Sequence, residues 1–149
     1  MLSLILVFFP LLAGLALLAL PERLARRAAL AAVLAEAAYA VALAALFGRG
    51  DIVHYALDLP WVPAWGIGLR LGLDGISLVL ALLTALVTPV ALLLAVRRAE
   101  SRSPVFYALV LAVEAGLLGV FAARDAVLFY LFWELALVPV YFIAAYWGG

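Results

Sequence analysis

Three glutamates, Glu36, Glu114 and Glu134, stand inside runs of apolar residues with no basic side chain close by in the chain. Glu134 is framed by Phe129-Tyr130-Leu131-Phe132-Trp133 on one side and Leu135-Ala136-Leu137-Val138-Pro139 on the other. Glu114 lies in Ala112-Val113-Glu114-Ala115-Gly116, where the small residues allow another helix to come close. A charge at the centre of a spanning helix costs about 2.5 to 3.5 kcal/mol on insertion scales, so an acid kept there asks for a partner or a function. The chemistry that such carboxyls offer is reversible uptake and release of protons. Pro139 adds to this at Glu134. Its ring displaces the carbonyl of Leu135 four residues earlier, and the freed backbone polarity favours a hydrated pocket beside the acid. Pro89, with Thr84 and Thr88 on the preceding turn, is expected to interrupt its own helix in a similar way.

The elements that must position these acids are spanning helices. The chain has 149 residues, of which 71% are hydrophobic and 12% charged, and a mean hydropathy of +1.32. A soluble fold of this size has no means of hiding so much apolar surface. A bilayer core of about 30 Å takes roughly 20 apolar residues in a helix. Five such runs are present, at about 2–20, 28–47, 73–96, 105–123 and 126–147, and the fold class expected is an all-α polytopic membrane protein with a single membrane domain over 1–149. The first run stops at Pro21, the second at Gly48-Arg49-Gly50, and the fifth at Gly148-Gly149.

One connection is long. The segment 48–72 holds Asp51, His54, Asp58, Pro60, Trp61, Pro63, Trp65 and Arg70, a mix suited to the headgroup level, with tryptophans as interfacial anchors and irregular or short β structure. Arg23, Arg26 and Arg27 follow the first helix and Arg97, Arg98 and Arg102 the third, against Arg49, Arg70 and Arg124 on the opposite side. Six against three puts the N-terminus outside, the segment 48–72 in an external loop, and the protein in a bacterial cytoplasmic (inner) membrane. The all-arginine basic set fits a GC-rich bacterial genome. A cleavable signal peptide is the competing reading of the first run, but the arginines come after that run and none precedes it.

Depth can be counted along the chain. Helices four and five are joined at Arg124-Asp125 and run antiparallel; Glu114 is ten residues before Arg124 and Glu134 nine after Asp125. Both therefore lie about 14 to 15 Å from the turn, half a bilayer deep. Helix rotation decides whether they face each other. Glu36 reads as a snorkelling residue or one that hydrogen-bonds between helices, with any further role open, Asp74 as the N-terminal cap of the third helix, and His54 as a loop residue. With no cysteine and one histidine, the chain lacks ligands for a haem, an iron–sulfur cluster or a zinc ion. Nine basic and nine acidic residues leave no net field to draw in nucleic acid.

Two stretches resemble a known family. Leu71-Gly72-Leu73-Asp74-Gly75-Ile76-Ser77-Leu78, running on to Thr84-Ala85-Leu86-Val87-Thr88-Pro89, is similar to the start of the third helix of the proton-translocating chain M subunit of respiratory complex I, the NADH:quinone oxidoreductase. The stretch Gly119-Val120-Phe121-Ala122-Ala123-Arg124-Asp125, then Phe132-Trp133-Glu134 and Val138-Pro139-Val140-Tyr141-Phe142, resembles its fourth and fifth helices, and Pro-x-Tyr after the Glu favours the M type over related subunits. The resemblance implies an antiporter-like membrane subunit that couples electron transfer in partner subunits to proton translocation. Its site residues are Glu134, matching a fifth-helix glutamate gated by a lysine on a later helix, and Glu114. It also implies that no cofactor resides in this chain, while NADH, flavin, iron–sulfur clusters and quinone belong to partner subunits. Other membrane subunits, the lipid bilayer and protons are the partners expected. The family's chains have many more helices than five, and this one has no lysine, so the resemblance implies an N-terminal fragment. A cation/proton antiporter subunit without NADH or quinone chemistry, and a structural or assembly membrane protein, are the rival readings.

Overall fold

The computed structural model describes residues 1–47, 54–98 and 103–148; Gly48-Arg49-Gly50, Asp51, Arg102 and Gly149 lie outside the described residues. Five helices follow one another as α1 (Leu2–Leu17), α2 (Glu22–Ala45), α3 (Gly75–Arg98), α4 (Pro104–Ala122) and α5 (Ala126–Trp147), with strands β1 (His54–Val62) and β2 (Ile67–Leu73) between α2 and α3. The chain is an all-α polytopic membrane protein that carries one added hairpin. The helices α2 to α5 are long and apolar enough to cross a bilayer. The 16 residues of α1 rise only about 24 Å. Beyond it Leu18, Ala19 and Leu20 donate to carbonyls three residues back at 3.0 to 3.2 Å, a tighter winding that adds about 6 Å and brings the apolar stretch to the thickness of a bilayer core.

Helix ends follow local chemistry rather than hydropathy. The second helix starts at Glu22 and not near Ala28, because Pro21 (φ −65°, ψ 151°) presets the approach and Glu22 to Arg27 are good helix formers, four of them charged. Hydropathy marks where lipid begins; hydrogen bonding marks where the helix begins. Pro104 occupies the first turn of α4, where its missing N–H leaves nothing unpaired. Asp125 caps α5 by accepting from the N–H groups of Val127 (2.9 Å) and Leu128 (3.3 Å).

Pro89 does not interrupt α3, which runs on through it to Arg98. The hydroxyls of Thr84 and Thr88 instead donate back to the carbonyls of Leu80 (3.0 Å) and Thr84 (2.9 Å), the usual way a spanning helix satisfies a hydroxyl in an apolar setting. In α5, likewise, Pro139 is buried and the helix continues to Trp147.

At the centre stands α4, packed against α1, α2, α3 and α5. Its contact with α5 is a close backbone approach: a Cβ on Gly116 would lie 2.6 Å from the Ala136 nitrogen, and one on Gly119 would run into the Phe132 ring. The core divides into two apolar layers. One, on the hairpin side, holds Leu6, Leu43, Ala85, Leu118 and Phe132; the other, towards the opposite end, holds Leu17, Val33, Leu92, Phe106 and Leu111. Outward faces carry large apolar side chains, such as Ile76, Val79, Leu83 and Val90 of α3, as a lipid-facing surface requires.

The hairpin sits across one end of the bundle. Its strands pair antiparallel with Asp58 opposite Arg70, and the connecting turn Pro63–Trp65 closes on Gly66 at φ +68°, a conformation that suits glycine. Trp61 and Trp65 project outward, as interfacial anchors do. The far edge of β2 is taken by the α4–α5 turn, through a bridge between Leu71 and Ala123 and a hydrogen bond from the Arg124 N–H to the Arg70 carbonyl at 2.8 Å.

Candidate functional site

Counted from the hairpin side, the three acids share one level. Glu36 is nine residues before Ala45, Glu114 eight before Ala122 and Glu134 eight after Ala126, so each lies about 12 to 14 Å in, near the middle of a bilayer core. Successive helical residues turn by about 100°, and this decides where each acid points. Gly116 and Gly119 face α5, so Glu114, two residues before Gly116, points to the other side of α4, into the bundle. Phe132 and Ala136 are the α5 residues that meet those glycines, so Glu134, two residues from each, points away from α4. The two acids picked out for function are therefore level but back to back.

Glu114 shares the bundle interior with Glu36 instead. The helices α2 and α4 pack together, Glu114 lies within the electrostatic field of Glu36, and each residue is only 1% exposed. Oε1 of Glu36 and both carboxyl oxygens of Glu114 are buried without a hydrogen-bond partner. The hydroxyl of Thr88 on α3 is next to the Glu114 carboxyl. These residues fill the gap between the two apolar layers: Glu36 falls between Val33 and Ala40, Thr88 between Ala85 and Leu92, and Glu114 between Leu111 and Leu118. A polar layer thus crosses the bundle at mid-depth. Sequence reasoning left the role of Glu36 open, although counting back from the end of α2 puts it level with Glu114.

Glu134 is half-buried on the outer side of α5, and its neighbour is the Tyr130 phenol one turn earlier, at hydrogen-bonding range. No basic side chain among the described residues forms an ion pair with Glu36, Glu114 or Glu134; Arg70 and Arg124 make theirs at the hairpin end. Among the described residues no cluster of His, Cys, Asp or Glu has the makings of a metal site. The His54 ring packs on Phe47 with centroids 4.2 Å apart.

At the hairpin end charges are matched outside the spans. Asp74 caps α3, accepting from the Ser77 N–H at 2.8 Å, and pairs with Arg124 at 3.0 Å. The Ser77 backbone N–H first, then the Ser77 hydroxyl and the Arg124 guanidinium, hold its carboxyl well below the usual range, down to about 2. At Asp125 burial works against the ionised form. The N–H groups of Leu128, Gly68 and Val127 and the Arg70 guanidinium outweigh it, and the acid is held below its ordinary range. Arg70 bridges Asp58 (3.1 Å) and Asp125 (3.4 Å), so the hairpin is tied by charge to the same turn that it meets by backbone pairing.

No family model matches the chain. It is 38% identical over 149 residues, 97% of its length, to NAD(P)H-quinone oxidoreductase chain 4 of Gloeobacter violaceus. It is 41% identical over 91 residues, 61% of its length, to NADH-quinone oxidoreductase subunit M of Escherichia coli K12. Among solved structures, a chain of respiratory complex I from Thermus thermophilus with bound NADH matches 99% of it with a TM-score of 0.82 and 30% identity. The chain spans 28% of the Gloeobacter relative, 18% of the Escherichia relative and 29% of the Thermus chain.

Proposed function

The chain belongs to the chain 4 and subunit M family of quinone oxidoreductase membrane subunits, and on that premise we propose that it is an antiporter-like subunit coupling electron transfer in partner subunits to proton translocation. Glu134 is the switchable proton site. The observation that carries this reading is its position: an acid at mid-depth on an apolar spanning helix, turned outward and half-buried, with a phenol beside it and no cation of the described residues in reach. An ionised carboxylate so placed needs a counter-charge, and a basic side chain on a further helix docking against this face of α5 would supply it. Movement of that cation would then set whether Glu134 holds its proton. Glu114, on the other side of α4, acts through the bundle interior.

NADH, flavin, iron–sulfur clusters and quinone belong to partner subunits in this reading, and the chain's contribution to the enzyme is translocation. Its setting is a bacterial inner membrane, with the N-terminus and the hairpin outside and Arg23, Arg26 and Arg27 on the cytoplasmic side, where basic residues concentrate. The test is Glu134→Gln in the intact complex. The expected outcome is loss of NADH-driven proton pumping with the complex still assembled; undiminished pumping would remove Glu134 from the mechanism. Ion exchange that continues without NADH or quinone turnover would favour the antiporter reading.

A further inference from the structure

The polar layer holds two acids, Glu36 and Glu114, that the outward site on α5 does not use. Each is 1% exposed, and three of their four oxygens are buried without a hydrogen-bond partner. Among the described residues, Ile5 and Phe9 of α1 and Tyr39 of α2 line the cavity at Glu36, and Thr88 of α3 is next to Glu114. The Thr88 hydroxyl, next to the Glu114 carboxyl, gives its hydrogen to the Thr84 carbonyl at 2.9 Å. No arginine among the described residues pairs with either acid, and Glu134 points the other way. Two carboxylates in apolar surroundings, each within the other's field and without a cation, lack any compensation for ionising together. One proton between them removes half the charge and gives one oxygen a donor for the other to accept.

Polar groups continue from this pair towards the hairpin end. A cavity of about 220 Å³, lined by Ile5, Phe9, Ala35, Glu36 and Tyr39, opens between α1 and α2 directly beside Glu36. The Tyr39 phenol lies within the field of Glu36 on one side and of Tyr55 on the other, and it donates to the Leu2 carbonyl at 3.1 Å. Tyr55 is held at φ +58°, a left-handed conformation seldom taken by an aromatic residue. In that conformation its carbonyl accepts from the buried Ser3 hydroxyl at 2.6 Å, while its phenol donates to the Leu43 carbonyl at 2.9 Å. Strain of this kind persists only where the surroundings over-determine it. Ser3, Tyr55, Tyr39, Glu36 and Glu114 are thus polar residues spaced from the hairpin to mid-depth.

We propose that Glu36 and Glu114 hold one proton between them and that Tyr39, with the cavity beside Glu36, connects this proton to the hairpin side of the bundle. The ligand is a proton, and moving it between the two acids breaks one O–H bond as another forms. The sharing stands on the burial, the common depth and the absence of a cation among the described residues; its use in translocation rests on the function proposed above.

Infrared difference spectroscopy of the assembled complex in vesicles tests both parts. A protonated-carboxyl band is expected in the wild type at neutral pH, removed or shifted by Glu36→Gln and equally by Glu114→Gln, and untouched by Glu134→Gln. Two bands lost one at a time, with neither variant disturbing the other's, would make the acids independent and overturn the sharing, as would a band that neither variant moves. A band that follows sodium concentration at fixed pH would overturn it in favour of a cation site. Tyr39→Phe, which keeps the ring, is expected to slow exchange of the band in D₂O by roughly a hundredfold, the low end of what a positioned proton relay contributes. Unchanged exchange would sink the route. Because the bands are read without turnover, a pumping defect in Glu134→Gln leaves this result standing, and the reverse also holds.

Discussion

Replacing Gly116 by alanine puts one methyl group between α4 and α5, and the structure sets how large the disturbance must be. The added Cβ would lie 2.6 Å from the Ala136 nitrogen, 2.8 Å from its Cα and 2.9 Å from its Cβ, whereas ordinary contact begins at 3.4 Å. The nearest atoms are backbone, so no rotamer change relieves the clash; the helices must part by about 0.8 Å. Overpacking of this kind typically destabilises by about 1 to 3 kcal/mol. Alanine's better helix propensity returns about 0.8 to 1 kcal/mol at most, so a net loss of up to about 2 kcal/mol is expected. The same parting moves the acids on the two helices relative to each other, and misplacements near 1 Å in positioned chemistry lower rates by about a hundredfold. Thermal unfolding of the complex in lipid nanodiscs, together with NADH-driven proton uptake in vesicles, provides the assay. Gly75→Ala is the control, since a Cβ there meets nothing within 4 Å. If Gly116→Ala matches Gly75→Ala in both stability and pumping, the close α4–α5 approach is not what holds the acids in place.

Two further outcomes are open to measurement. Asp74 is held from its ordinary 3.8 down to about 2, so its contribution to stability is complete above the ordinary value and lost as pH falls towards 2. Asp74→Asn should remove that segment of the pH dependence of unfolding, and a variant whose acid transition matches the wild type would contradict the assignment. The chain contains no cysteine, so Ala19→Cys, in the turn after α1, introduces a single label site. With the N-terminus outside, an impermeant thiol reagent should reach it only from the cytoplasmic face of vesicles of known sidedness; labelling from the opposite face would invert the orientation.

The depth of the acids was legible in the sequence because a helix rises uniformly, and counting from Arg124-Asp125 puts Glu114 and Glu134 at one level. Their directions were not. A spanning helix is apolar all round, so it lacks the stripe that fixes the rotation of a soluble helix. The pairing of Glu114 with Glu36, rather than with Glu134, emerges only once Gly116 and Gly119 are seen to receive Ala136 and Phe132. Those two glycines, three apart, are in retrospect a small-residue signal for the face that α5 occupies. The cap at Asp74 was readable from its place ahead of α3. The hairpin was harder to read, because beside the local Asp58–Arg70 pair its end of the bundle is tied by charges 50 or more residues apart, Arg124 with Asp74 and Arg70 with Asp125. Pro89 misled because a proline inside a bilayer can be carried by an unbroken helix.

The docking of the α4–α5 turn onto β2 gives the bundle a fixed zero from which heights are measured. Because Ala123 and Arg124 are stitched to Leu71 and Arg70, α4 and α5 start from a common baseline and cannot slide lengthwise past each other. One residue inserted in α4 between Glu114 and Gly119 would swing Glu114 about 100° around the axis and lift it about 1.5 Å from the zero. The same residue inserted before Glu114 would leave it where it is. The two halves of α4 should therefore differ sharply in how they tolerate changes of length.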